Sequence, residues 1–456
     1  MTRFKRAFPV VVSVCLAGGA LNAARPHYGG TLTIETTDAG AMRRVNALAY
    51  ETLAAVDESG GLRPMLATSW EIDARGRRWT FRVRRGVRLH DGSTLQPPQV
   101  MAALQGLHAD WQITSDGDAI AIDPGRDASD LPWQLAEAAQ AIVVRPAAGP
   151  LVGSGPFRVE RVEGGLIRLR AHDDYWGSRP FVDTVEVRTG RTPAEWLADV
   201  EAGRADMVPI QPTDLRRVEQ RQLRIEASRP LELVALVFEP PLATTANDAL
   251  RRTFVASIDR GALARVVLQG QAQPANALLP EWISGYAPFA LAKVVAQPMS
   301  RSAIAALPPA RRTLALRVSA ADAVGQALAQ RIAVNARDAG FTLTVQAPPG
   351  LGPAFDVRLV RLPFRAAAPA DALADVMTGL GARTIAVVGR LTPPESDASI
   401  DAVVRTERAL LERDVIIPIV HVPDLYAVSE RLQSWNGPAV LPSGMWNLAN
   451  IWLSAP

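Results

Sequence analysis

The sequence predicts an α/β protein of at least two domains, and three observations carry that expectation. With 456 residues, 48% of them hydrophobic, the chain can bury more than a single core usually organises. Trp79, Phe81 and Val83 alternate with Arg78, Thr80, Arg82 and Arg84, the period of a half-buried strand with one wet, basic face. Residues 313–318, 323–338 and 341–345 then read as strand, helix and strand, with Gly340 ending the helix, a βαβ-like unit.

Taken in order, the chain opens with a basic segment at Arg3, Lys5 and Arg6. An apolar run over residues 7–17 follows, then small residues at Gly18, Gly19, Ala20 and Ala23. This is the pattern of a secretory signal, so export is expected and cleavage falls near residues 20–24. The run is shorter than the roughly 20 residues a membrane span needs, and no later apolar run reaches that length. Cys15, the single cysteine, lies inside this segment, so no disulfide is expected in the mature chain.

Residues 30–34 read as a first strand. Trp70 and Ile72 face away from Glu71 and Asp73, and Ala74-Arg75-Gly76 turns this strand into the one carrying Trp79. Val87 and Leu89 extend the ribbon to a turn at His90-Asp91-Gly92, and Pro97-Pro98 suits the first turn of a helix reaching Leu107. A small ribbon over residues 111–122 turns at Ser115-Asp116-Gly117-Asp118, and residues 131–144 read as helical. Gly153-Ser154-Gly155-Pro156 is a tight turn into a strand, with residues 166–169 pairing back across Gly164-Gly165. It lacks the third glycine and the lysine of nucleotide loops. Further on, residues 194–202 form an amphipathic helix and residues 233–238 a strongly apolar strand. Residues 287–310 read as Pro- and Ala-rich loop, 355–359 as strand, 402–413 as helix and 415–421 as strand.

Composition excludes several functions. Net charge is +3, and Lys5 and Lys293 are the only lysines among 49 basic residues; the arginines are interspersed with acids rather than gathered on one face, which argues against nucleic-acid binding. His27, His90, His108, His172 and His421 are widely spaced, without metal-ligand motifs, so no metal and no cofactor are expected. There is no GxSxG elbow. Asp173 and Asp174 read as adjacent strand residues, which point to opposite faces, so an enzyme is not expected.

Beyond these physical readings, the order of several segments resembles the family 5 extracellular solute-binding proteins, receptors of peptide and nickel ABC importers. The segments are Tyr50-Glu51-Thr52-Leu53; Gly61-Leu62-Arg63-Pro64 with Leu66-Ala67-Thr68-Ser69-Trp70-Glu71; Trp79-Thr80-Phe81-Arg82-Val83-Arg84-Arg85-Gly86-Val87; and His90-Asp91-Gly92. Gly153-Ser154-Gly155-Pro156-Phe157, Asp174-Tyr175-Trp176-Gly177 and Gly203-Arg204-Ala205-Asp206 extend it, and the likeness runs from about Gly30 to Ser434.

The resemblance implies a two-lobed periplasmic binding protein (Venus flytrap) fold with a reduced accessory subdomain. Lobe I would span residues 25–232 with that subdomain, lobe II 233–421, and residues 422–456 would return to lobe I. The stretch 35–46, where relatives carry a longer loop before a Tyr-Glu-x-Leu helix, is short here. The implied partners are a small solute, peptide by family default, and an inner-membrane ABC permease, with the receptor acting as a monomer. Val14 stands where a lipidated cysteine normally has a small residue before it, so a soluble periplasmic product is expected over a lipid-anchored one.

Ligand contacts are expected near the lobe crossovers, at Phe238 and Glu239, at Arg361 and Phe364 after a strand end, and at Trp446; core packing or a solvated loop competes at each. Peptide-binding relatives often place an aspartate after the strand at 355–359 to receive the peptide's amino terminus. This chain reads Arg361-Leu362-Pro363-Phe364-Arg365-Ala366, with no acid before Asp371, which favours an anionic or neutral solute. The competing reading is a receptor of the same fold that senses or scaffolds without delivering cargo.

Overall fold

The computed structural model describes residues 25–57, 61–125, 131–240, 242–286, 299–348, 355–366, 368–389, 391–395 and 398–454. The expected signal segment, with Cys15, lies outside them.

Two long antiparallel strands, Arg224–Phe238 and Ile416–Val428, form the spine of an 11-stranded mixed sheet. On one side, Arg224–Phe238 pairs with Val357–Pro363, which leads to Thr313–Arg317 and Thr342–Gln346. On the other, Ile416–Val428 pairs with Met207–Ile210, followed by Thr31–Glu35, Thr184–Arg188, Leu166–Ala171 and Phe157–Glu163. Only the start of the first long strand, Arg224 to Ala227, lies opposite the segment Leu425 to Val428 that also holds Met207–Ile210; from Glu232 onward it belongs to the other half. Between these halves the register slips at Ala227/Pro230 and again at Pro230/Glu232, where Pro230 has no N–H to give.

Apolar burial follows the same division. One cluster joins Leu233–Val237 side chains to Phe254, Leu328, Leu373 and Ile419; a second joins Leu32, Val45, Phe157, Val185, Tyr426 and Trp446. A third fills a separate four-stranded layer in the order Ala67–Ile72, Trp79–Val83, Ala119–Asp123 and Gln112–Asp116, covered by helix Pro97–Leu107. The βαβ unit is present: parallel strands Thr313–Arg317 and Thr342–Gln346 flank helix Ala323–Ala339, capped by Asp322 through Gly325 N at 2.9 Å and closed by Gly340 at φ 98°.

Five expectations are corrected. The short stretch after the first strand is a helix, Asp38–Ala49, because Ala41, Val45 and Leu48 fall on one buried face. It ends at Tyr50, so the segment through Leu53 is not helical. Within residues 131–144 only Leu131–Gln134 and the single turn Ala138–Gln140 are helical; Ile142 N and Val144 N instead donate to Glu51 O and Val152 O. The expected loop at 287–310 carries two short helices, Arg301–Ala305, capped by Ser300, and Pro309–Arg312, while residues 287–298 lie outside the described ones. Asp173 and Asp174 follow the strand end at Ala171 rather than sitting in it, and Asp173 pairs with Arg179 at 2.8 Å.

Candidate functional site

The interruption of the two long strands is where groups from both halves of the molecule meet. Ser228 Oγ accepts Asp424 N–H at 2.9 Å, Trp282 Nε1 donates to Pro230 O at 2.9 Å, and Phe364 N donates to Leu231 O at 2.7 Å. The C-terminal turn closes the other side, with Arg229 N donating to Pro442 O at 3.0 Å. Backbone polar groups freed by the register slips are thus taken up by neighbouring side chains and loops.

Helix Asp38–Ala49 brings two consecutive arginines to this seam. Arg44 is buried: its Nε donates to Gly444 O at 3.0 Å and Nη2 to Asp424 Oδ2 at 2.5 Å, while its guanidinium stands 5.7 Å from the rings of both Tyr426 and Trp446. Burial pushes the Tyr426 hydroxyl up to about 12. Arg43 is half-buried and forms no ion pair among the described residues. Its guanidinium is held below its ordinary value by burial and by Arg44, with Arg365 adding to the same effect; Asp424 and Tyr426 offset part of it.

Of the five residues expected to touch ligand, three lie beside the seam. Arg361 lies inside strand Val357–Pro363 rather than after its end, and is spent on an ion triad, Nε on Glu232 Oε2 at 2.9 Å, Nη2 on the same oxygen, and Nη1 on Asp322 Oδ1 at 3.1 Å. Burial pulls Arg361 down, but Glu232 and Asp322 outweigh it; burial pushes Glu232 up despite Arg361. Two guanidinium N–H groups on one carboxylate oxygen support the ionised pair. Phe364 is buried, its ring 6.0 Å from that of His421, and Trp446 is buried beneath Arg44. The other two sit at the far end of the strand. Phe238 packs edge-on against Phe254 at 5.8 Å, and Glu239 binds Arg358 Nε at 2.8 Å. Sequence reasoning missed Arg43, Arg44 and Asp424; an arginine pair inside the apolar spacing of Ala41, Val45 and Leu48 was the available signal.

Elsewhere, His90 Nε2 and His172 Nδ1 converge on Gly155 O at 3.0 and 3.2 Å. Both ring nitrogens donate to that carbonyl, so the pair staples a turn. Among the described residues no group of three or more His, Cys, Asp or Glu is placed to hold a metal ion, and no helix is long and apolar enough to cross a membrane. A groove of about 470 Å³ lined by Met42, Asn46, Tyr50, Leu107 and Leu151 lies between the first helix and the four-stranded layer, away from the seam.

Comparison with known proteins places this geometry. Residues 126–358 match the bacterial extracellular solute-binding proteins, family 5 (middle). The dipeptide-binding protein of Escherichia coli (strain K12) is 22% identical over 270 residues, 49% of this chain and 50% of that protein. The HTH-type transcriptional regulator SgrR of Pectobacterium atrosepticum is 29% identical over 145 residues, 29% of this chain and 26% of that one. The chain spans about half the length, or less, of these curated relatives. In three dimensions it resembles the ABC transporter substrate-binding protein CtaP of Listeria monocytogenes, with a TM-score of 0.75 at 16% identity, covering 93% of this chain and 99% of that one. The fold is the two-lobed α/β architecture of periplasmic binding proteins.

Proposed function

Because the chain belongs to the bacterial extracellular solute-binding proteins of family 5, we propose that it is an exported, non-enzymatic receptor. In this reading it binds a small solute between its lobes and presents it to an inner-membrane ABC permease. Lobe I is residues 25–232 with the four-stranded layer as its accessory subdomain, lobe II is 233–421, and 422–456 returns to lobe I. The observation that carries the reading is the paired slip of the two long strands at Ala227 to Glu232, where charged and aromatic groups from both halves converge. Two strands with interrupted pairing can bend together, and bending there opens or closes the space beside Arg43, Trp282 and Trp446. Groups donated by both lobes then sense a solute only when the lobes approach, so solute binding selects the closed form.

Peptides are the first solute class to test, since one relative is named for dipeptide binding. The test is differential scanning fluorimetry combined with small-angle scattering against dipeptides, tripeptides, nickel chelates and oligosaccharides. A true ligand at 100 times its dissociation constant stabilises the fold by about 2.7 kcal/mol and contracts the particle. Absence of both effects across every class would refute solute reception.

A second reading, sensing without delivery, is favoured by the likeness of part of the chain to a transcriptional regulator. It predicts the same solute-driven closure with no import defect when the gene is deleted.

A further inference from the structure

We propose that Arg43 and Arg365, one from each lobe, form an anion-binding pair at the seam, and that an acidic group of the solute, a carboxylate or a phosphate, lies between them when the lobes close. This rests on the receptor reading above and adds the solute's charge class and the residues that read it.

The residues adjoining the two arginines, Arg44 and Phe364, are anchored to the same stretch of the fold. Arg44 ties the first helix to Asp424 and Gly444, and Gly444 lies so close to Leu231 that a Cβ there would come within 2.4 Å of Leu231 Cδ1. Phe364, the residue before Arg365, donates its N–H to the carbonyl of that same Leu231, and Arg365 N is held by Asp375 Oδ2 at 3.1 Å. Arg44 and Phe364 therefore carry their neighbours Arg43 and Arg365 to the same stretch of the first long strand, and Arg365 adds a little to the effect of burial and Arg44 in holding the Arg43 guanidinium below its ordinary value.

The nearby carboxylates are already engaged. Asp424 serves Arg44, while Glu232 and Asp322 serve Arg361. Neither Arg43 nor Arg365 forms an ion pair among the described residues, and Arg365 is exposed. Two like charges brought together by hinge closure oppose it, and an anion between them turns that repulsion into attraction. Guanidinium groups suit this task because each offers a planar pair of donors to a carboxylate or phosphate. Solute charge and lobe closure thus become one coupled event.

The test uses the mature protein at fixed ionic strength. Isothermal titration with citrate, inorganic phosphate and glutamyl-glutamate is set against alanyl-alanine and maltose, for wild type, R43Q, R365Q and the charge-keeping R365K. Saturable binding of an anionic probe is expected, weakened about tenfold by R43Q and by R365Q and less by R365K. A second readout needs no ligand: the inter-lobe distance between spin labels should shift toward closure in R365Q and not in R365K. Binding of alanyl-alanine or maltose alone, or anion binding indifferent to both glutamine variants, overturns the anion pair and leaves the receptor reading standing. No binding of any probe together with an unchanged inter-lobe distance in R365Q overturns both.

Discussion

Glu51 and Trp176, 125 residues apart in sequence, meet through a 2.8 Å hydrogen bond from the indole Nε1 to Oε2. Ser154 Oγ reaches the same oxygen at 2.8 Å, and Tyr175 OH donates to Oε1 at 2.8 Å. Three of the sequence segments that carry the family likeness, around Glu51, Ser154 and Tyr175-Trp176, are thus one buried polar knot. Arg84, from a fourth, stacks 4.1 Å above the Trp176 ring. The knot ties the four-stranded layer to the main sheet. Burial pushes the Glu51 carboxyl up, and its three donors pull it back. Glu51→Ala strands all three donors, at about 1–3 kcal/mol each, so a loss of about 4 kcal/mol in urea unfolding is expected, with Glu51→Gln losing less. A loss below 1 kcal/mol would show that the knot is solvated.

Gly153 and Gly155 are glycines for want of space. A Cβ on Gly153 would lie 2.0 Å from Ala49 O, and one on Gly155 would lie 2.3 Å from Leu48 O, both at the end of the first helix. Gly153→Ala and Gly155→Ala should each destabilise by about 3 kcal/mol, the upper range for overpacking, measured as a shift in urea midpoint without change in slope. Wild-type stability in either variant would mean that the helix end yields freely.

Glu239 tests whether the far end of the first long strand takes part in binding. Its carboxylate holds Arg358 at 2.8 Å, and Arg358 also donates to Leu380 O and Thr384 Oγ1, both at 2.8 Å. Glu239→Gln should cost about 1–2 kcal/mol of stability and leave solute affinity unchanged. A tenfold affinity loss would place Glu239 at the binding surface.

Strands were legible wherever one face is buried, since Phe81 and Val83 or Leu314 and Leu316 alternate as the pleat demands. The first helix was not legible because Gly40 and the Arg43-Arg44 pair interrupt its apolar stripe, and tertiary contacts to Asp424 and Gly444 compensate. The run Ala141-Ile142-Val143-Val144 looked helical in isolation but is drawn out by bonds to Glu51 O and Val152 O, partners distant in sequence. The same limit hid the seam: Arg44 and its partner Asp424 are 380 residues apart in sequence, and no local pattern pairs them. Arg361 was visible as a charge after a strand, but that Glu232 and Asp322 consume it was not.

Acid sensitivity should centre on His421, which is buried and donates Nε2–H to Leu278 O at 3.0 Å. Burial pushes the ring down to about 4, against an ordinary value of 6.5. Between those values the unfolded chain takes up a proton that the folded site resists, so stability is intact above pH 6.5 and falls toward pH 4 by about 3 kcal/mol. His90, pushed to about 4 by burial, acts in the same direction. Glu35 acts oppositely: burial and then Asp199 raise it to about 7, so the folded carboxyl is protonated first and stability rises as pH falls from 7 to 4.5. Urea unfolding between pH 7 and 4.5 should therefore show a shallower loss in His421→Gln than in wild type and a steeper one in Glu35→Gln. Parallel profiles for all three proteins would rule out both assignments.

Asp424 offers a substitution whose two effects should have opposite signs. Its carboxylate is the partner of buried Arg44 at 2.5 Å, and its field also offsets part of the burden on Arg43. Asp424→Asn removes that partner from a buried cation, so stability should fall by about 2 kcal/mol. The same change leaves the arginines of the seam less compensated, so affinity for an anionic probe such as citrate should rise about three- to tenfold, and the gain should shrink as salt shortens the Debye length from about 10 Å at 0.1 M. A purely structural Asp424 would lower stability and affinity together, and a salt-independent gain would point to a change of shape rather than of charge. Titration of both proteins at two ionic strengths, beside their unfolding curves, separates these outcomes, because only a field acting on a bound anion couples lower stability to tighter, salt-sensitive binding.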